Sequence, residues 1–125
     1  MDVEAWIEAY ERAWRTAGIT SLRELFSEDA TYRMSPYEEP VHGLAAIGEL
    51  WERERVGPDE EFEMAHEIVA VDVEVAVARI EVEYATGAKY RDLWLIRFNR
   101  DGRCCEFEEW PFWPGQSIAP PAPPN

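Results

Sequence analysis

Residues that can move protons recur along the second half of the chain at strand spacing. Glu109 alternates with Phe107 and Cys105. A carboxylate set among aromatic side chains has its charged form disfavoured by desolvation, which lifts its pKa toward the range of a useful base or acid. The competing reading is a solvated glutamate in the acidic stretch Glu106, Glu108, Glu109. Asp92 opens an alternation with Trp94, Ile96 and Phe98, so it is placed on an inner face near a strand end, as a second acid or as a strand-end aspartate in water. His66 shares a face with Phe62, Met64 and Ile68, where a neutral imidazole can act as a base, donate to a ligand, or simply be a satisfied core histidine. Tyr10 and Tyr32 supply hydroxyl donors. Arg79 and Glu81 fall, by alternation alone, with Val75, Val77 and Glu83 on one face, opposite Ala76, Ala78, Ile80, Val82 and Tyr84. The ordinary rule sends the apolar set to the core and leaves Arg79 and Glu81 in water.

Other chemistries find little here. There is no glycine-rich phosphate loop, nucleophile elbow or zinc spacing, so no cofactor and no metal are expected. A metal site from His66 with Glu109 or Asp92 is a weak alternative. Cys104 and Cys105 are the only cysteines; adjacent on a strand, they read as small hydrophobes in a reducing compartment. A formal charge of −14, from 26 acidic and 12 basic residues, argues against nucleic acid or an anionic membrane as partner. No membrane-length apolar run and no signal peptide is read, and a cytoplasmic location is expected.

The 125 residues suit one domain with its own core. Residues 1–118 are assigned to it and 119–125 to a proline-rich tail. Val3, Trp6, Ile7, Tyr10 and Trp14 recur at helical spacing, and Gly18 closes that helix. Ser21-Leu22-Arg23-Glu24 reads as a capping box opening a short second helix. Residues 30–34 read as a short strand, residues 44–55 as a third helix stopped by Gly57-Pro58, and His42 as a turn or cap residue. Strands follow at residues 62–71, 75–84, 90–99 and 103–112, with a weak turn near Asp72 that has no glycine. Helices followed by a meander give an α+β fold, a cone-shaped curved antiparallel sheet wrapped around N-terminal helices and enclosing a pocket. Tyr10, Trp14, Tyr32, Trp51 and Trp94, with Met34, Phe62, Met64 and Phe107, are the expected lining. So many aromatics in one place suggest an apolar, ring-containing small-molecule ligand.

Three stretches carry a resemblance to a known superfamily: Leu25-Phe26-Ser27-Glu28-Asp29-Ala30-Thr31-Tyr32, Pro40-Val41-His42-Gly43-Leu44-Ala45-Ala46-Ile47, and Ile96-Arg97-Phe98-Asn99 followed by Asp101-Gly102-Arg103. From Trp6 to Trp113 the chain resembles the nuclear-transport-factor-2-like superfamily, in particular its SnoaL-like branch. That superfamily holds isomerases, epoxide hydrolases, dehydratases, cyclases and non-catalytic domains, so the resemblance implies a pocketed fold and leaves the chemistry open. Against ketosteroid isomerases, the oxyanion-hole tyrosine falls at Tyr10, but the base falls at Met34 and the oxyanion aspartate at Trp94; neither shuttles protons, so the resemblance nearly excludes that family's own arrangement of the chemistry. Against limonene epoxide hydrolase, Arg79-Ile80-Glu81 resembles the Arg-x-Asp strand motif, Glu109 takes the last-strand aspartate's place, Tyr32 the tyrosine's, and Met34 replaces the asparagine.

This register points Glu109, Arg79 and Glu81 into the cone, against plain alternation for the last two, and it is the expectation adopted. It would leave Ile80, Val82, Tyr84, Leu93 and Leu95 as an outer apolar stripe covered by a second subunit, hence a homodimer. The expected function is a cofactor-independent acid–base enzyme of epoxide hydrolase, isomerase or cyclase type on a small, largely apolar substrate. Glu109 would be the base, with Arg79, Glu81, Asp92 and His66 assisting. The alternative is a ligand-binding or dimeric assembly domain without catalysis.

Overall fold

Asp2 starts the first helix by accepting a hydrogen bond from the Ala5 amide at 3.0 Å, so that α1 runs Val3–Arg15. Its apolar stripe buries Val3, Trp6, Ile7, Tyr10 and Ala13, and its charged residues face outward. In the computed structural model, which describes residues 2–55 and 61–116, this helix is followed by α2 (Leu22–Leu25), β1 (Phe26–Arg33), β2 (Val41–His42) and α3 (Gly43–Glu54). Four long strands complete the chain: β3 (Phe62–Asp72), β4 (Val75–Tyr84), β5 (Lys89–Phe98) and β6 (Cys104–Phe112). Gly57-Pro58 and the proline-rich 119–125 lie outside the described residues.

The six strands form one curved, unclosed sheet in the order β2-β1-β6-β5-β4-β3. It is mixed rather than wholly antiparallel, because β1 lies parallel to β6 while every other pair is antiparallel. Register shifts interrupt the ladders at Ile68/Ala70, at Arg97/Phe98 and between Phe26 and Thr31, and irregularities of this kind bend and twist a sheet. The shift at Arg97/Phe98 also alters the reading of the cysteines. Cys104, not Cys105, is the buried one beside Phe98, and alternation resumes correctly from Phe107.

Two local expectations change. Ser21 makes no side-chain capping bond, and the chain passes from α2 into an eight-residue β1 that starts at Phe26, well before residue 30. His42 precedes α3 without capping it, and Gly43 takes a positive φ of 88° there. The concave face of the sheet carries the core. Ala76, Ala78, Ile80, Ile96 and Cys104 have no exposed surface, and Trp6 packs edge-on to Phe26, Trp94 and Phe98 while its indole N–H donates to the Leu25 carbonyl at 3.0 Å. Burying such rings contributes about 1.5–3 kcal/mol each.

Candidate functional site

The stripe on α1 continues one turn at a time from Trp6 to Tyr10 to Trp14. Trp6 is locked in the core, whereas Tyr10 and Trp14 stack at 6.5 Å over an opening that the core does not fill. Trp51 of α3 meets both rings at 4.9 Å. Tyr32 and Met34 approach from β1 and its exit, and Phe62 and Met64 from β3. Val82, Tyr84, Tyr90 and Trp113 close toward the rim. The hollow so enclosed has a volume of about 400 Å³, within the usual range for small-molecule sites.

Two carboxylates stand in its wall. The register places Trp94 directly opposite Glu109 and Asp92 opposite Pro111, so Asp92, Trp94 and Glu109 share the concave face at the junction of β5 and β6. The Tyr32 hydroxyl lies 3.4 Å from Glu109 Oε1 and 2.8 Å from the Tyr10 hydroxyl, giving a row Tyr10–Tyr32–Glu109–Asp92. Glu109 is walled in by protein yet keeps an edge open to the hollow, whereas Asp92 is only 6% exposed. Asp92 Oδ1 is buried and has no hydrogen-bond partner among the described residues, which leaves an orphaned acceptor beside Glu109.

The electrostatics follow from burial. Desolvation, and then the neighbouring Asp92, hold the Glu109 carboxyl well above the usual carboxylate range, with Tyr32 and Trp94 pulling the other way. Burial also raises Asp92, while its polar neighbours Glu109 and Trp94 favour its charged form. Two carboxyls that share one proton titrate as a unit, first to a singly charged and then to a doubly charged pair. Tyr10 and Tyr32 are pushed well above the ordinary phenol value, chiefly by burial, so both stay neutral and act as donors. No Lys, Arg or His lines the hollow among the described residues; Glu54 at the rim adds a third carboxylate.

Of the residues expected at the site, Tyr10, Trp14, Tyr32, Met34, Trp51, Phe62, Met64, Asp92, Trp94 and Glu109 border this hollow. The others do not. Arg79 and Glu81 point the opposite way, onto the convex face, where Arg79 pairs with Glu67 at 3.4 Å and Glu81 with Arg91 at 3.2 Å. Plain alternation wins because Ala76, Ala78 and Ile80 need the core, and turning the strand over would exchange three fully buried apolar residues for two charges. The outer stripe argued for a dimer is corrected with it: Ile80 is buried, Val82 and Tyr84 border the hollow, and only Leu93 and Leu95 lie on the convex face. Phe107, 1% exposed, stacks on Tyr32 at 4.7 Å and packs in the core beside the hollow without bordering it. His66 faces inward but is held by Glu4 of α1 at 2.6 Å, away from the carboxylate pair. Among the described residues no three His, Cys, Asp or Glu gather as a metal site.

Val82, Tyr84 and Tyr90 were outside the expected set and form much of the rim with Trp113. The signal for Val82 and Tyr84 was their alternation with Ile80, overridden by the register taken from the resemblance.

A family described as a SnoaL-like domain matches residues 3–107. No curated protein matches the sequence. Among solved structures, an NTF-2-like protein of unknown function from Burkholderia xenovorans has a TM-score of 0.70 at 14% identity, covering 91% of this chain and 85% of that one. A steroid delta-isomerase from Pseudomonas aeruginosa has a TM-score of 0.64 at 19% identity, covering 87% and 78%. A computationally designed 17-OHP binder has a TM-score of 0.69 at 10% identity, covering 84% and 89%. At these identities the likeness is one of fold.

Proposed function

The chain belongs to the SnoaL-like domain family, and on that premise we propose that it is a cofactor-independent acid–base enzyme of isomerase or cyclase type, acting on a small, largely apolar ring compound held in the aromatic hollow. The observation that carries this reading is the pair of carboxyls, Asp92 and Glu109, in the wall of a cavity lined chiefly by aromatic rings.

In the reactive form Glu109, with an edge on the hollow, is the carboxylate that meets the substrate, and the proton the pair retains has passed to Asp92 behind it. A carbon-bound proton next to a carbonyl moves to Glu109. The C–H bond breaks, an O–H bond forms, and the electron pair passes onto the carbonyl oxygen. Tyr10 or Tyr32, neutral and at the cavity wall, donates a hydrogen bond to that developing charge. Return of the proton to a different carbon restores the pair. Raised carboxyl values suit the exchange, since a base titrating near the working pH both takes and returns a proton. Epoxide opening has less support, because Arg79 and Glu81 lie on the convex face.

The test is turnover of cyclic β,γ-unsaturated ketones, followed by absorbance of the conjugated product. Glu109→Gln, which keeps size and hydrogen bonding, is expected to lower kcat about 100- to 10,000-fold with an unchanged fold by circular dichroism. Turnover of Glu109→Gln at the wild-type rate, or none by the wild type, overturns the enzyme reading and leaves a ligand-holding domain.

A further inference from the structure

The hollow has a one-sided charge. Asp92 and Glu109 form part of its wall, Glu54 stands at its rim, and among the described residues that border it there is no Lys, Arg or His. The nearest candidate cations have other attachments. Arg15 donates to the Phe62 carbonyl and lies over that ring at 3.8 Å. Arg55 is committed to the carbonyls of Ala13, Thr16 and Gly18 at the end of α1. His66 is bound to Glu4. Arg79, which could have supplied the counter-charge, is on the other face of the sheet.

With one shared proton the Asp92–Glu109 pair is a single enclosed anion. An enclosed charge without a partner is unstable, and the donor that reaches it is the neutral Tyr32 hydroxyl, 3.4 Å from Glu109 Oε1. Tyr10, Trp14 and Trp51 all border the hollow, Tyr10 and Trp14 nearly parallel and Trp51 edge-on to both. Aromatic rings attract cations when water is excluded, as Arg55 over Trp14 and Trp51 at 5.8 and 5.7 Å already shows from the side of α3.

We propose that the hollow is a binding site for apolar amines, taken up as their ammonium forms beside the Asp92–Glu109 pair with the apolar body against the aromatic lining. This rests on reading the hollow as a ligand site but not on any turnover. The ammonium supplies the cation that the wall lacks, and the apolar body replaces water against the rings. A ligand carboxylate or phosphate would face like charges with nothing to compensate them, so anions are excluded from the same space. Uncharged analogues keep the apolar contact and lose the charge pairing.

Groups from five elements face the pair or the space beside it and enter the pH dependence: Tyr10 from α1, Tyr32 from β1, Glu54 from α3, Tyr84 from β4 and Tyr90 from β5. Tyr10 and Tyr32, raised by burial, stay neutral over the range in which the amine is charged, so the carboxylate pair carries the titration.

The experiment is calorimetric titration of the whole chain with three probes of one shape: 1-naphthylmethylamine, 1-naphthalenemethanol and 1-naphthoic acid. At about pH 7 the amine is expected to bind about tenfold or more tighter than the alcohol, with the acid weakest. In the wild-type protein the amine's advantage is expected to shrink as the pH is lowered to about 5, because protonation removes the pair's charge. The double substitution Asp92→Asn with Glu109→Gln is expected to bring amine and alcohol to within about threefold of each other; the wild-type pH series carries the same test should that variant fail to fold. Alcohol binding as tightly as amine, or acid binding best, overturns the assignment of ligand class while the acid–base reading stands. If none of the three probes binds, both the amine assignment and the ligand-site reading fall.

Discussion

The two faces of the sheet treat charge in opposite ways. On the convex face five ion pairs bridge neighbouring strands: Glu67 with Arg79, Glu81 with Arg91, Glu83 with Lys89, Arg97 with Glu106 and Arg33 with Glu108. Each joins residues directly opposite in the register, the geometry in which cross-strand pairs help most. On the concave face two carboxyls stand together with no cation beside them among the described residues that line the hollow, and burial raises both. The outer charges are satisfied, wet and individually worth little. The inner pair is dry, perturbed and unstable in its fully charged form. Net charge and composition do not distinguish these situations; only the direction of each side chain does, and that makes strand orientation the feature to attack first.

Exchanging the faces locally should have the largest effect. Ile80→Arg places a guanidinium where Ile80 has no exposed surface, and it should cost about 3–5 kcal/mol, or prevent folding. Arg79→Leu, one residue away, should stay within about 1 kcal/mol of the parent. Urea midpoints for the two variants check the contrast. Equal losses, or a larger loss at Arg79, would contradict the orientation on which the carboxylate site depends.

The same contrast shows how much was legible. Alternation in β4 already separated Ala76, Ala78 and Ile80 from Arg79 and Glu81, and the fold follows it. The resemblance supplied the right fold and the wrong direction for this strand, because a three-residue charge pattern can be matched without its side chains facing the same way. Glu109 and Asp92 were identified separately from their apolar neighbours. Their contact was not legible, since it joins two strands diagonally and depends on the exact β5–β6 register, which the shift at Arg97/Phe98 resets. The parallel β1–β6 pairing was hidden for a related reason: pattern identifies strands but not partners. His66 was legible as inward-facing, but its partner Glu4 is 62 residues away in the chain.

Acid titration should sharpen the comparison next. A carboxyl whose folded value lies above its unfolded value stabilises the fold fully below the ordinary carboxylate range. As pH rises, the unfolded chain releases its proton first, and stability falls until the folded value is passed. Glu109 and Asp92 are both of this kind. Wild-type stability should therefore fall relative to Glu109→Gln from about pH 4.3 upward, and the variant should be the more stable at neutral pH. Denaturant midpoints at matched pH values read the difference. A gap that closes with rising pH would mean that Glu109 is solvated or paired with a cation.

The hairpin that sets which residues of β3 and β4 share a face is next in size. Asp72 pairs with Val75 around a two-residue turn in which Val73 has φ 51° and is 84% exposed. A β-branched residue in the left-handed region is strained by about 1–3 kcal/mol. Val73→Gly relieves that strain at an entropic cost of about 0.5–1 kcal/mol, so a net gain of about 0.5–1 kcal/mol is expected in thermal or urea unfolding. A loss would mean that the valine makes contacts that outweigh its backbone.

The smallest effect belongs to the convex pairs themselves. Arg79 and Glu67 are 59% and 65% exposed and 3.4 Å apart, so their coupling in a double-mutant cycle of Arg79→Ala with Glu67→Ala should be below about 0.5 kcal/mol and should vanish in high salt. The contrast between the two faces requires this coupling to be small. If an exposed pair on the outer face were worth as much as the protonation state of the inner one, burial would not be what separates the two faces. The raised carboxyls of Asp92 and Glu109 would then need another cause.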